Sequence, residues 1–240
     1  MAEFDVISLV NAKGGPGKTT VAQILISAAL ASKRKVIFFD GDPTGNLMQW
    51  MEAAIEAGNW TDNCKGYRAK TAKEIVDALL ALEAEGFKGL VFVDTPGVGD
   101  ISTLTMVGNS QFVVIPTSLG TASVRTTLAT AEAIEKYVAK LPDARKPVVK
   151  IVRNNLPSNS RMTKKHWAVF DGLSEHPYCA KAGILNHSVV ETWDAEGPLL
   201  GRYRRERNSK GLTSLHANSV RRVLDDGLGV INELFEGTPQ

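Results

Sequence analysis

The stretch "NAKGGPGKTT" (Asn11–Thr20) decides how this chain folds. It follows the apolar run "VISLV" (Val6–Val10) and leads into Lys18–Ser32, a segment rich in Ala, Ile and Leu. A glycine-rich loop therefore joins a predicted strand to a predicted helix. In that context the loop backbone cradles phosphate, its N–H groups and the helix N-terminus together forming an anion nest. Two features are unusual. The loop carries both Lys13 and Lys18, where one lysine suffices, and Ala12 stands where the usual phosphate loop opens with glycine.

Outward from this loop, "KVIFFD" (Lys35–Asp40), "GLVFVD" (Gly89–Asp94), "QFVVIP" (Gln111–Pro116) and "PVVKIV" (Pro147–Val152) read as further strands. Helices are predicted over Thr44–Ala57, Thr71–Glu85, Thr121–Ala139, Arg161–Leu173 and Leu215–Phe235. Continuously apolar strands imply a sheet covered on both faces, and strand–helix alternation makes it mostly parallel and doubly wound. Such α/β sheets bind ligands at the carboxyl ends of their strands. "NAKGGPGKTT", "DGDPTGN" and "DTPGVGD" all lie at such ends, so three segments distant in sequence converge on one site.

Each residue type there has a task. Gly14, Gly15 and Gly17 let the backbone bend around phosphates, Lys18 reaches the β- and γ-phosphates, Thr19 offers a hydroxyl to Mg²⁺, and Thr20 meets the α-phosphate. The alternative, a glycine turn capping an ordinary helix, does not account for strand, loop, lysine, threonine and helix in this order. Asp94, ending a strand before "TPG", is placed to help hold Mg²⁺. Gly97 and Gly99 after it suit a segment that moves with the γ-phosphate. Asp40 and Asp42 are candidates for placing Mg²⁺ or the attacking water, against the alternative that they cap the turn before Pro43.

Composition bounds the rest. The 240 residues, 43% hydrophobic and 22% charged, suit one large domain. No apolar run spans a bilayer, "MAEFD" lacks the features of a signal peptide, and Cys64 and Cys179 read as small buried thiols, so a reducing cytoplasm is expected. Net charge is only +2, but "RYRRERNSK" (Arg202–Lys210) sets Arg202, Arg204, Arg205, Arg207 and Lys210 against one acid, Glu206. Such a local basic patch points to an oriented polyanion, with a solvated charge run as the alternative.

"KGGPGKTT", "FFDGDPTGN" and "VFVDTPG" resemble the deviant Walker A, Walker A′ and Walker B motifs of the ParA/MinD ATPases, and the resemblance extends to about Asn155. It implies a P-loop NTPase that hydrolyses ATP with Mg²⁺, with Lys13, Lys18 and Asp42 as catalytic residues and Thr19, Asp40, Asp42 and Asp94 about the metal. It also implies a purpose for the additional lysine. Lys13 would cross to the nucleotide of a second subunit, so that ATP joins a homodimer and hydrolysis releases it; otherwise Lys13 is a solvated surface lysine. Thr44 departs from the family's glutamine after the proline, which implies slow hydrolysis. Asn154 or Asn155 would meet the adenine, as an asparagine there does in relatives, unless each only forms a turn.

The chain does not resemble every branch of this family. Neither cysteine sits in the paired arrangement of iron–sulfur carriers. The acidic tail "LDDGLGVINELFEGTPQ" does not suit the membrane helix of MinD-type proteins, and no helix-turn-helix module fits before the first strand. The short ParA type remains. It implies non-specific DNA binding by the ATP-bound dimer through a basic region at about residues 200–222, with Arg202, Arg204, Arg205, Arg207, Lys210, Arg221 and Arg222 as candidates and Arg161, Lys164 and Lys165 as a second cluster. It further implies a nucleoid-associated cytoplasmic protein with a ParB-like activator and a DNA cargo, or one that positions a protein or transfer complex on a DNA track. "LMQWMEAAIEAGNW" (Leu47–Trp60) is similar to the ParA-like protein that supports T-DNA transfer.

Overall fold

A computed structural model describes residues 3–11, 17–96, 101–190, 196–207 and 213–236. Seven parallel strands form one sheet in the order β3-β2-β4-β1-β5-β6-β7. They are β1 (Glu3–Leu9), β2 (Val36–Asp40), β3 (Cys64–Arg68), β4 (Lys88–Asp94), β5 (Phe112–Thr117), β6 (Val148–Leu156) and β7 (Cys179–Leu185). The helices are α1 (Lys18–Ala31), α2 (Asn46–Glu56), α3 (Ala72–Ala84), α4 (Ile101–Gly108), α5 (Thr121–Val138), α6 (Lys164–Ser174), α7 (Leu199–Arg207) and α8 (Thr213–Glu236).

The apolar runs of the central strands divide between two cores, because successive side chains point to opposite faces. Ile7, Leu9, Phe38, Leu90, Phe92, Phe112 and Val114 face α1, α2, α7 and α8. Val6, Ile37, Phe39, Val91 and Val93 face α3 and α4, and Val113, Ile115 and Ile151 face α5. Right-handed crossovers explain this division: α1 and α2 carry the chain towards one edge of the sheet, whereas α3 to α6 carry it towards the other. Helix α1 is covered by the sheet on one side and by α7 and α8 on the other, so Val21, Ile24, Leu25, Ile26 and Ala28 are all buried. Gly227 lets α8 close on α1, since a Cβ there would lie 2.9 Å from both Ala28 Cβ and Ile24 Cγ2.

The predicted doubly wound sheet is thus present, and each predicted helix and strand has a counterpart. The additional elements are β3, β7, α4 and α7. Register brings the ends of the site strands together, with Leu9 beside Asp94, Asp94 beside Asp40, and Asp40 beside Arg68. No helix among the described residues is long and apolar enough to cross a membrane.

Candidate functional site

Three strand ends build the site. β1 delivers Asn11, whose side chain donates to the Pro116 carbonyl at 3.0 Å and ties the start of the glycine loop to β5. Thr95, just past β4, donates its hydroxyl to the Leu9 carbonyl at 2.8 Å. Gly17 closes the loop in the left-handed region at φ 87, and α1 begins at the next residue. A side chain here would be strained by that φ, and its Cβ would lie 2.2 Å from Asn154 Nδ2, so the amide would have to move. The first N–H groups of α1 have no acceptor within the helix and open towards the loop. Lys13, Gly14 and Gly15 lie outside the described residues, as do Gly97 and Gly99.

Lys18 and Thr19, on the first turn of α1, meet the carboxylates. The Lys18 ammonium donates to Asp94 Oδ1, to the Thr95 carbonyl at 2.6 Å and, more weakly, to Asp42 Oδ2 at 3.4 Å. Thr19 Oγ1 donates to Asp94 Oδ2 at 2.9 Å. Burial pushes the Asp94 carboxyl up, and Lys18 and Thr19 pull against it. Asp42 differs. Partial burial is opposed by hydrogen bonds from Thr44 and by the Lys18 charge, which together hold its carboxyl below the ordinary value. The structure thus unites Lys18, Thr19, Asp42 and Asp94.

Asp40 takes the capping role that its position offered. Its Oδ1 accepts the Asp42 N–H at 3.2 Å and its Oδ2 the Met48 N–H at 2.9 Å, so both oxygens hold the turn into α2. The alternative weighed for Asp40, a place about the metal, would require these bonds to be exchanged. Burial raises its carboxyl, with the Asp42 charge adding to the rise.

Beside Gly17 and Thr20 lies a cavity of about 330 Å³, lined also by Asn154, Asn155, Leu185, Asn186 and His187. Its size and mixed lining suit a nucleoside. Asn154 is buried against Gly17, whereas Asn155 is exposed, takes φ 56, and accepts from Asn186 Nδ2 at 2.6 Å. His187 Nε2 lies 3.0 Å from Asp226 Oδ2 on α8. Sequence reasoning missed Asn186 and His187 because they follow the unpredicted strand β7; the turn residues "LNHS" were the available signal.

The basic candidates separate. Arg202 is buried, its Nε bonding Glu206 at 2.9 Å and its Nη1 the Val189 carbonyl at 3.1 Å. These bonds anchor α7 and leave Arg202 less accessible to a duplex than its exposed neighbours. Arg205 pairs with Glu196 at 2.7 Å, and Arg221 lies 3.8 Å from Asp225. Arg204, Arg207 and Arg222 are exposed, and Lys210 lies outside the described residues. Arg204 and Arg205 share a groove of about 450 Å³ with Lys33, a cation that the sequence did not single out. Arg161, Lys164 and Lys165 are exposed beside β7, on the opposite face of the sheet from α7.

Residues 4–227 match the VirC1 protein family. The chain belongs to that family. The Rhizobium rhizogenes protein virC1 is 28% identical over 174 residues, 72% of this chain and 73% of that protein. Among solved structures, Cyanthece apo McdA superimposes with a TM-score of 0.68 at 17% identity, covering 96% of this chain and 99% of that one. The pNOB8 ParA bound to nonspecific DNA gives 0.66 at 14% identity, covering 99% and 100%. The chain has the ParA/MinD-type P-loop NTPase fold. The likeness drawn from the motifs, including the finer one to the ParA-like protein of T-DNA transfer, is borne out.

Proposed function

We propose that this VirC1-family chain is a Mg²⁺-dependent ATPase whose ATP-bound form pairs with a second copy and binds DNA without sequence preference. The observation that carries this reading is the cluster at the carboxyl ends of β2 and β4, where Lys18 and Thr19 from the start of α1 meet Asp42 and Asp94. The fit to Mg²⁺ rests on the Thr19 hydroxyl and the Asp94 carboxylate held 2.9 Å apart. Magnesium is commonly held by few protein oxygens together with substrate phosphates. Thr19 would ligate the ion and Asp94 would orient its water shell; the bound metal would neutralise charge developing on the phosphates.

The other residues act directly. Gly14, Gly15 and Gly17 would turn N–H groups onto the phosphates, Lys18 would exchange its carboxylate partners for phosphate oxygens, and Thr20 would meet the α-phosphate. Asn154 and Asn155, with Asn186, would border the base. Asp42 would orient the attacking water. Lys13 would add a cation to the partner subunit's nucleotide, a charge that one subunit's lysine does not supply. Residues of about 200–222 would face the duplex, led by Arg204, Arg205, Arg207, Lys210, Arg221 and Arg222.

Membership of the VirC1 family favours a transfer complex moved on a DNA track over a resident plasmid or chromosome region as cargo. A ParB-like or cargo-adaptor partner would then stimulate hydrolysis. DNA binding with ATP and with ADP, for the parent and for Arg204→Ala/Arg205→Ala, tests the reading. Binding that needs ATP and weakens in the double variant supports it; equal binding with both nucleotides contradicts it.

A further inference from the structure

Asp42 and Thr44 form a closed unit in the turn between β2 and α2. Thr44 Oγ1 donates to Asp42 Oδ1 at 2.6 Å, and the Thr44 N–H donates to the same oxygen at 2.9 Å. The other oxygen, Oδ2, faces the Lys18 ammonium at 3.4 Å. The turn is braced on every side. Asp40 Oδ1 accepts the Asp42 N–H, and Gln49 Nε2 donates to the Thr44 carbonyl at 2.9 Å. Gly45 takes φ 67, and a Cβ there would stand 1.6 Å from Arg68 Nη2, so the Arg68 guanidinium covers the turn where another residue would carry a side chain.

We propose that Thr44 is a positioning residue for Asp42. The inference rests on the hydrolytic reading above. A carboxylate at the end of a turn rotates freely unless one oxygen is tied, and orientation of the group that holds the attacking water is a large part of catalysis. Thr44 ties Oδ1 twice and leaves Oδ2 facing the Lys18 cluster. The threonine is therefore no passive replacement for the glutamine that the resemblance led one to expect: its hydroxyl fixes the neighbouring acid.

The test is steady-state ATP hydrolysis by the parent, Thr44→Val, Thr44→Ser and Asp42→Ala, with thermal melting of each. Thr44→Val keeps the branched shape and the backbone bond but loses the hydroxyl. Its kcat should fall about tenfold with KM for ATP and melting temperature near the parent's, the size expected when one hydrogen bond to a charged group is lost. Thr44→Ser, which keeps the hydroxyl, should retain about half of the activity or more. Parent-like turnover in Thr44→Val, a loss confined to KM, or equal damage in Thr44→Ser would overturn the proposal while Asp42→Ala remains inactive. A parent without ATPase activity, or an Asp42→Ala variant as active as the parent, would overturn the hydrolytic reading and the proposal with it.

Discussion

Thr19 Oγ1 donates to Asp94 Oδ2 across 2.9 Å, joining the first turn of α1 to the end of β4. A hydroxyl and a carboxylate from distant parts of the chain are thereby held at one point, where Mg²⁺ with a triphosphate would need both. Thr19→Ala should bind ATP equally with magnesium and with EDTA, whereas the parent gains about tenfold or more from the metal. Titration of a fluorescent ATP analogue in both buffers checks this. A metal-dependent gain that survives in Thr19→Ala would remove Thr19 from the site.

Gly17 has two reasons to be glycine, its φ of 87 and the Asn154 amide where a Cβ would stand. Gly17→Ala should cost about 1–2 kcal/mol of stability from the backbone alone, with added loss from the clash. Nucleotide affinity should fall by about tenfold or more, because the loop and Asn154 must separate. Chemical denaturation and analogue titration measure the two effects; a variant matching the parent in both would contradict the geometry.

Arg202 and Arg204 lie two residues apart on α7 and should behave oppositely. Arg202→Ala removes a buried guanidinium with its bonds to Glu206 and to the Val189 carbonyl, and should destabilise the fold by about 3 kcal/mol. Arg204→Ala should leave the melting temperature unchanged and lower the slope of log affinity for DNA against log salt by about 0.9. Melting curves and salt titrations of DNA binding separate the two roles.

What could be read before the structure follows from burial. The five strands between the sheet edges carry apolar side chains on both faces and were visible as unbroken runs. β3, "CKGYR", buries only Cys64 fully, and β7 alternates with Lys181 and Leu185 exposed, because an edge strand is paired on one side only. α7 was hidden by its charge, "RYRRER", although Arg202 proves internal. The site cluster was legible because Asp42 and Asp94 follow or end strands and Lys18 and Thr19 open the helix after the β1 loop, so topology forces them together. The base-side residues Asn186 and His187 were not, since their position depends on β7. The inward turn of Arg202 depends on Glu206 and the Val189 carbonyl, and spacing alone cannot reveal it.

Glu233 on α8 offers a pH test. Partial burial raises its carboxyl, but the N–H groups of Ala182 and Lys181 and the Lys150 ammonium outweigh that and hold it below its ordinary 4.5. Because the folded value is the lower one, the stabilisation is present above pH 4.5 and fades as pH falls through the folded value. Glu233→Gln should therefore be less stable than the parent by about 1.5–3 kcal/mol at neutral pH, and the gap should close under acid conditions. Urea denaturation at a series of pH values reads this directly.

In the function proposed above, a triphosphate is shared between two copies of this chain through Lys13. Sedimentation with ATP, with ADP, and of Lys13→Ala with ATP, alongside turnover, tests it most directly. The parent should dimerise with ATP alone, and Lys13→Ala should remain a monomer with impaired hydrolysis. A Lys13→Ala variant that dimerises and turns over ATP like the parent would contradict it.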